Sequence, residues 1–268
     1  MRRLVAAFAV VGVIAAAAAI ISTPGERAVS GIVIGAPDDT GGLIVHQMLE
    51  SGALSGARSV GEVSGFELKD CCVSRAEWAL STDMLDAAVM CPDAAERLLE
   101  RDRRFVIVGP CLVNSDVVVS ADSTPTSIGI GQNRFYQEDI VRDLFGQRVD
   151  VMPVVMTGLP VAYRGGTVDG VVLDVLKARA LKGRRWSSAP QNGDRITYVL
   201  VVSREFQQQS EYAAFMREFD AAAQTLNDPR ALSSAVESYT GIALSQEEVE
   251  EWSRLRIRFV STTHAPTG

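Results

Sequence analysis

The chain has 268 residues, 47% hydrophobic and 22% charged, which is a globular balance with enough length for one large domain or two lobes. Its formal net charge is −7, and lysine and arginine are scattered, with an acid inside their densest run, Arg101-Asp102-Arg103-Arg104. That excludes the clustered basic face that a nucleic-acid binder needs.

Arg2 and Arg3 precede an uninterrupted apolar run from Leu4 to Ile21, which Ser22-Thr23-Pro24-Gly25-Glu26 breaks. A charged start followed by an apolar stretch predicts a secretory signal or an N-terminal anchor over 1–25. The run is short for a comfortable membrane span of about 20 residues, and no cysteine follows it to carry a lipid. The body of the chain is therefore expected outside the cytoplasmic membrane.

Residues 31–36 read as a buried strand, stopped by Pro37-Asp38-Asp39-Thr40-Gly41-Gly42. Helical spacing follows over 43–49, with Thr40 as its cap and two glycines leaving backbone N–H groups open at its start. A second strand over 60–68 leads into Lys69-Asp70-Cys71-Cys72-Val73-Ser74 and a short helix over 74–80. A third strand over 86–90 ends at Cys91, and Pro92 opens an amphipathic helix over 92–101. A fourth strand over 105–108 precedes Cys111, and a β run covers 116–121. All four cysteines thus fall just past strands. In an open α/β sheet ligands bind outside the carboxyl ends of the strands, so parallel neighbours would bring the four sulfurs to one crevice.

The polar stretch 121–126, with Pro125, predicts a boundary. After it come a strand over 127–131, a helix over 133–145 capped by Asn133, a strand over 149–155, a helical turn over 159–164, a strand over 168–173 and a helix over 174–181. A second polar stretch over 183–194 predicts another crossing. The chain returns with a β run over 195–202, a helix over 203–226, a helix from Asp228-Pro229 to about 239, a capping box at Ser245-Gln246-Glu247-Glu248 and a β-like segment over 254–261. This gives an α/β protein with lobe 1 from 26–121 plus 195–268 and lobe 2 from 122–194. Two crossings make a hinge, and closure around a ligand is the expected motion.

From about Ser30 onward this layout resembles the periplasmic substrate-binding proteins of ABC importers, of the branch that handles alkanesulfonates, nitrate and thiamine-pyrimidine precursors. The resemblance lies in Gly31-Ile-Val-Ile-Gly, in Leu85-Asp86-Ala87-Ala88-Val89, in its echo Gly166-Thr-Val-Asp-Gly-Val-Val172, and in the return segment Tyr198 to Phe206. It implies a type 2 periplasmic-binding-protein-like fold, no enzymatic activity or cofactor, an ABC permease with its ATPase as partners, and a monomer that meets the membrane only through its N-terminal segment or the permease. The vicinal pair Cys71-Cys72 departs from the ordinary pattern. It resembles a subset in which a Cys-Cys or Cys-selenocysteine pair takes up organometals, the selenocysteine-assisted organometal transport group.

Thiolates are soft ligands that select soft metals, so Cys71 and Cys72 are candidate ligands, with Cys91 or Cys111 completing the site. Structural disulfides, natural in an exported chain with an even cysteine count, are the alternative. A Cys71–Cys72 bridge is disfavoured, because adjacent Cα atoms lie about 3.8 Å apart, below the usual disulfide range. Asp39 and Thr40 are expected on the cleft loop, as ligand contacts or as a helix cap. Asn114 is a candidate at the hinge, and Arg134 is a candidate for pairing with an anion across the cleft. If the cysteines are structural, the expected ligand is an organic anion or heterocycle. No Gly-x-Ser-x-Gly motif or phosphate loop suggests an enzyme.

Overall fold

A computed structural model of the chain describes residues 31–52, the backbone of 58–60, and 85–262. The expected signal, the strand and helix flanking Cys71-Cys72, and that pair itself lie outside the described residues. No helix among the described residues is long and apolar enough to cross a membrane.

The described chain from Ile32 onward is one compact unit built on two sheets. The first half supplies β1 (Val33–Gly35), α1 (Thr40–Glu50), β2 (Arg58–Val60), β3 (Ala87–Met90), α2 (Pro92–Arg101) and β4 (Phe105–Val113). Then come β5 (Asp116–Ser120), β6 (Ser127–Gly131), α3 (Tyr136–Phe145), β7 (Asp150–Val154), α4 (Leu159–Arg164), β8 (Gly170–Asp174), α5 (Val175–Ala178) and β9 (Arg184–Ser187). The return supplies β10 (Ile196–Ser203), α6 (Tyr212–Thr225), α7 (Pro229–Thr240), α8 (Gln246–Arg254) and β11 (Arg258–Phe259).

The first sheet has the order β11-β4-β10-β3-β1-β2 and the second β7-β6-β8-β5-β9. Apart from β11, the two orders match strand for strand. In each, three strands beginning at β1 or β6 run parallel, and one strand arriving across a crossing lies antiparallel beside them. That strand is β10 in the first sheet and β5 in the second, so each sheet is locked by a strand delivered from the other.

Two expectations shift here. Asp116–Ser120, expected in lobe 1, pairs with β8 and β9, which moves the first crossing from 121 back to Asn114-Ser115. The second crossing, read over 183–194 as polar linker, contains β9, and Arg184–Ser187 pairs with β5. Its sequence, RRWS, sits half-exposed at the edge of the sheet, where strands are polar.

The core lies between sheet and helices. Apolar β10, with Tyr198, Leu200 and Val202 buried, faces α6, whose Phe215 meets Phe206 edge-on and packs at a tilt against Phe219. The helix expected over 203–226 starts later, at Tyr212. Ser203 Oγ accepts from Phe206 N at 3.0 Å, which closes a separate short turn over Phe206–Gln208 instead. The capping box at α8 is present, with Glu248 N donating to Ser245 Oγ at 3.2 Å and Ser245 N to Glu248 Oε2 at 2.8 Å. Ser245→Ala is expected to remove about 1 kcal/mol of stability, read as a fall in Tm of about 2–4 °C. An unchanged Tm would show that the box is only decorative.

Candidate functional site

The parallel strands of both sheets end on edges that face each other. After β1 comes the turn Asp38-Asp39-Thr40, and after β8 come Asp174 and α5 with Lys177. Thr40 N and Oγ1 donate to Asp174 Oδ1 at 3.2 and 2.8 Å, and Lys177 Nζ pairs with Asp38. After β3 comes Cys91 and the start of α2, and after β6 come Asn133, Arg134 and α3. Tyr136 N donates to Asp93 Oδ2 at 3.3 Å, and Arg97 Nη1 to the carbonyl of Asn133 at 3.3 Å. β1 thus meets β8 and β3 meets β6, as a near two-fold relation between the sheets requires.

A buried charged cluster fills the seam. Asp39 caps α1, accepting from Gly41 N at 3.0 Å, and takes the Tyr198 hydroxyl at 2.5 Å on its other oxygen. The cap is therefore Asp39, and Thr40 is the first helical residue. The glycines after it allow a close approach: a Cβ on Gly41 would sit 2.9 Å from Tyr198 Cδ1 and one on Gly42 2.0 Å from the Pro37 oxygen. Arg134 is buried, with its guanidinium 6.0 Å from the Tyr198 ring centre and Nη1 3.8 Å from Asp116 Oδ1. Asp116 Oδ2 accepts from Tyr136 Oη and from Gln137 Nε2, both at 2.6 Å.

Burial drives the electrostatics. It pushes the Asp39 carboxyl above the usual range, against the pull of Lys177 and Arg134. Asp174 is held well above that range by burial and then by the charges of Asp39 and Asp116. Burial opposes the charge on Lys177, yet Asp39, Asp38 and Asp174 around it outweigh this and raise its pKa. Burial, and next the Asp116 charge, keep Tyr136 a neutral phenol and therefore a donor.

No protein-family model matches the sequence, and no curated protein matches it. Solved structures do. The ligand-binding component of an ABC-type import system from Staphylococcus aureus, with zinc bound, superposes with a TM-score of 0.64 at 13% identity, covering 89% of this chain and 88% of that one. The alkanesulfonate-binding protein SsuA of Xanthomonas axonopodis pv. citri, bound to MOPS, gives 0.60 at 13% identity over 84% and 83%. The Candida albicans CA3427 product, described as having the generic periplasmic binding protein structural fold, gives 0.59 at 12% over 87% and 82%. This chain has the periplasmic-binding-protein fold.

That fold gathers some of the expected site residues and disperses others. Asp39, Thr40 and Arg134 stand at the seam, where Arg134 is buried and pairs with the buried Asp116. Cys91 is buried at the same edge, just before α2, in the apolar cluster against which Tyr136 packs. Cys111 does not join it. β4 does not stop at 108 but runs to Val113, because Pro110, which has no N–H to give the ladder, falls at a register shift against β10. Cys111 is then inside the strand and fully buried. Burial, and next the charge of Asp220 on α6, push its thiol far above the ordinary range. Among the described residues no group of three or more His, Cys, Asp or Glu side chains is placed to hold a metal.

Asn114 is buried and bonded within the fold. In the left-handed conformation at φ 60°, it donates from Nδ2 to Asp194 Oδ1 at 2.9 Å and to the Arg256 carbonyl at 2.8 Å, and accepts from Arg195 N at 2.8 Å. Its whole amide fastens the two crossings to each other. Asp116, Asp174, Lys177, Tyr136, Gln137 and Tyr198 were not anticipated. Two signals were available: Asp174 ends an apolar run at a parallel strand's carboxyl end, and Tyr198 carries a hydroxyl into an apolar strand, where it must find a partner.

Proposed function

We propose that this protein is the extracytoplasmic solute-binding component of an ABC-type importer. Exported by its N-terminal segment, it holds a small ligand between its two sheets and releases it to a membrane permease driven by an ATPase. The observation that carries this reading is the seam itself: two matching sheets, locked by exchanged strands, whose carboxyl edges meet around buried polar side chains. The solved structures of this fold named above include an import-system component and a sulfonate binder, both ligand-binding proteins.

The finer reading is a soft thiophilic ligand, an organometal or metal ion, taken by Cys71 and Cys72 with help from Cys91. Its support is topological. β2 is parallel to β1, so its carboxyl end at Val60 lies on the edge that carries Asp39, and the vicinal pair follows it in the chain. The test is intact mass with thiol counting, before and after an organomercurial is added under reducing conditions. A one-to-one adduct, displaced only by a competing thiol and lost in the Cys71→Ser, Cys72→Ser double variant, is the expected result. Oxidised cysteines that resist mild reductant and form no adduct would reject it.

A second reading, an organic heterocycle with structural cysteines, is favoured by one observation. Asp174 Oδ2 and Asp116 Oδ1 are buried at the seam with no hydrogen-bond donor. They call for a donor-bearing ligand, not an anion.

A further inference from the structure

Asp116 opens β5 and Asp174 closes β8, and the antiparallel register sets the two directly opposite one another. Opposed residues on neighbouring strands put their side chains on one face with Cβ atoms about 4.5–5.5 Å apart, where like charges repel. Both aspartates are fully buried. Each is fastened through one oxygen. Asp116 Oδ2 takes Tyr136 and Gln137, and Asp174 Oδ1 takes Thr40 together with Leu176 N at 3.0 Å. Each leaves its second oxygen, Asp116 Oδ1 and Asp174 Oδ2, without a donor. Arg134 Nη1, 3.8 Å from Asp116 Oδ1, lies beyond hydrogen-bond length.

Two opposed, immobilised carboxylates with an unused oxygen apiece are an unstable arrangement by themselves. Protonating Asp174 would turn Oδ2 into a donor with Asp116 Oδ1 as the unpartnered acceptor on the opposed residue, but the pair would still carry one negative charge beside Asp39. The surrounding charge points the same way. Asp38, Asp39, Asp116 and Asp174 face only Lys177 and Arg134 among the described residues joined by these contacts.

We propose that the solute held at this seam carries a protonated nitrogen, an ammonium or amidinium group, that donates to Asp174 Oδ2 and Asp116 Oδ1. This rests on the solute-binding reading above and is independent of what the cysteines do. Such a group supplies several N–H donors and a positive charge at once, and so meets both orphan oxygens and the repulsion between them. Thr40 Oγ1, reaching Asp174 from the opposite sheet, couples the filling of this cradle to closure of the seam.

The probe is methylammonium chloride at about 100 mM, compared with sodium chloride and sodium acetate at equal ionic strength, with Tm as the readout. Methylammonium is expected to raise Tm by about 3 °C over sodium chloride, with no such rise from acetate. Asp174→Asn, which puts an N–H₂ donor where Oδ2 was, should lose at least half of that rise while unfolding no earlier than the parent. Three results would overturn the proposal: no rise over sodium chloride, a rise undiminished in Asp174→Asn, or a variant that unfolds well below the parent, which would assign the carboxylate to the fold. If the organomercurial adduct forms while methylammonium does nothing, the cradle fails and the solute-binding reading stands. If neither binds, the soft-ligand reading fails together with the cradle.

Discussion

Gly42→Ala should cost this protein about 3 kcal/mol, at the upper end of what overpacking does, and lower its Tm by about 9 °C. The added Cβ would lie 2.0 Å from the carbonyl oxygen of Pro37 and 2.5 Å from the Tyr239 hydroxyl, which itself donates to that oxygen at 3.0 Å. The first contact is with backbone, so no side-chain rotation relieves it. The start of α1 must back away from the turn before it, and Asp39 and Thr40 move with it, away from Tyr198 and Asp174. Binding at the seam should weaken along with stability. Gly52→Ala, at φ 64° with nothing within 4 Å of the new Cβ, is the control, with an expected loss nearer 1 kcal/mol from backbone strain alone. If the two variants unfold at the same temperature, the packing around Gly42 is looser than described.

Glycine at this position shows what sequence could and could not convey. The pair Gly41-Gly42 reads naturally as an anion-binding helix start with open N–H groups. The structure gives it another use: close packing of the helix against Pro37, Tyr198 and Tyr239, the last two of them more than 150 residues away. The alternation of apolar runs and amphipathic helices was enough to infer an α/β fold with a return at the end, because strand and helix periodicities are local. What could not be read locally is which sheet a strand joins. Asp116–Ser120 is apolar enough for either, and only its pairing with β8 and β9 settles it. The same limit governs the site. Asp39, Thr40 and Arg134 sit at visible loop positions after strands, whereas Asp116 and Asp174 matter because an antiparallel register sets them opposite each other. Cys111 lies within β4 and not past its end for a local reason that is open to view: a proline within an apolar run marks a bulge as readily as a strand end.

Arg134→Met and Asp174→Asn should move stability in opposite directions at pH 7, although both alter one buried cluster. Removing the guanidinium leaves Asp116 and Asp39 without a buried cation that faces both, a loss of about 3 kcal/mol by the usual cost of breaking a buried pair from one side. Asp174→Asn keeps the oxygen that Thr40 and Leu176 use but removes one of three mutually repelling carboxyl groups, a gain on the order of 1 kcal/mol. The pH dependence fixes the sign. Because burial, with Asp39 and Asp116, raises the Asp174 carboxyl well above its unfolded value, the folded protein binds the proton more tightly there than the unfolded chain does. Stability in the parent therefore falls as pH rises from about 3.9 through the raised value. Asparagine takes no part in that titration, so the advantage of Asp174→Asn should be present at pH 7 and gone near pH 4. Arg134→Met steepens the parent's fall instead, since Arg134 holds the raised Asp39 carboxyl down, and its deficit should shrink on acidification. Thermal unfolding of the three proteins at pH 4 and pH 7 tests both. An Asp174→Asn protein less stable than the parent at pH 7 would mean that the carboxylate's contacts outweigh its repulsion, and that the seam is built for stability and not held in tension for a ligand.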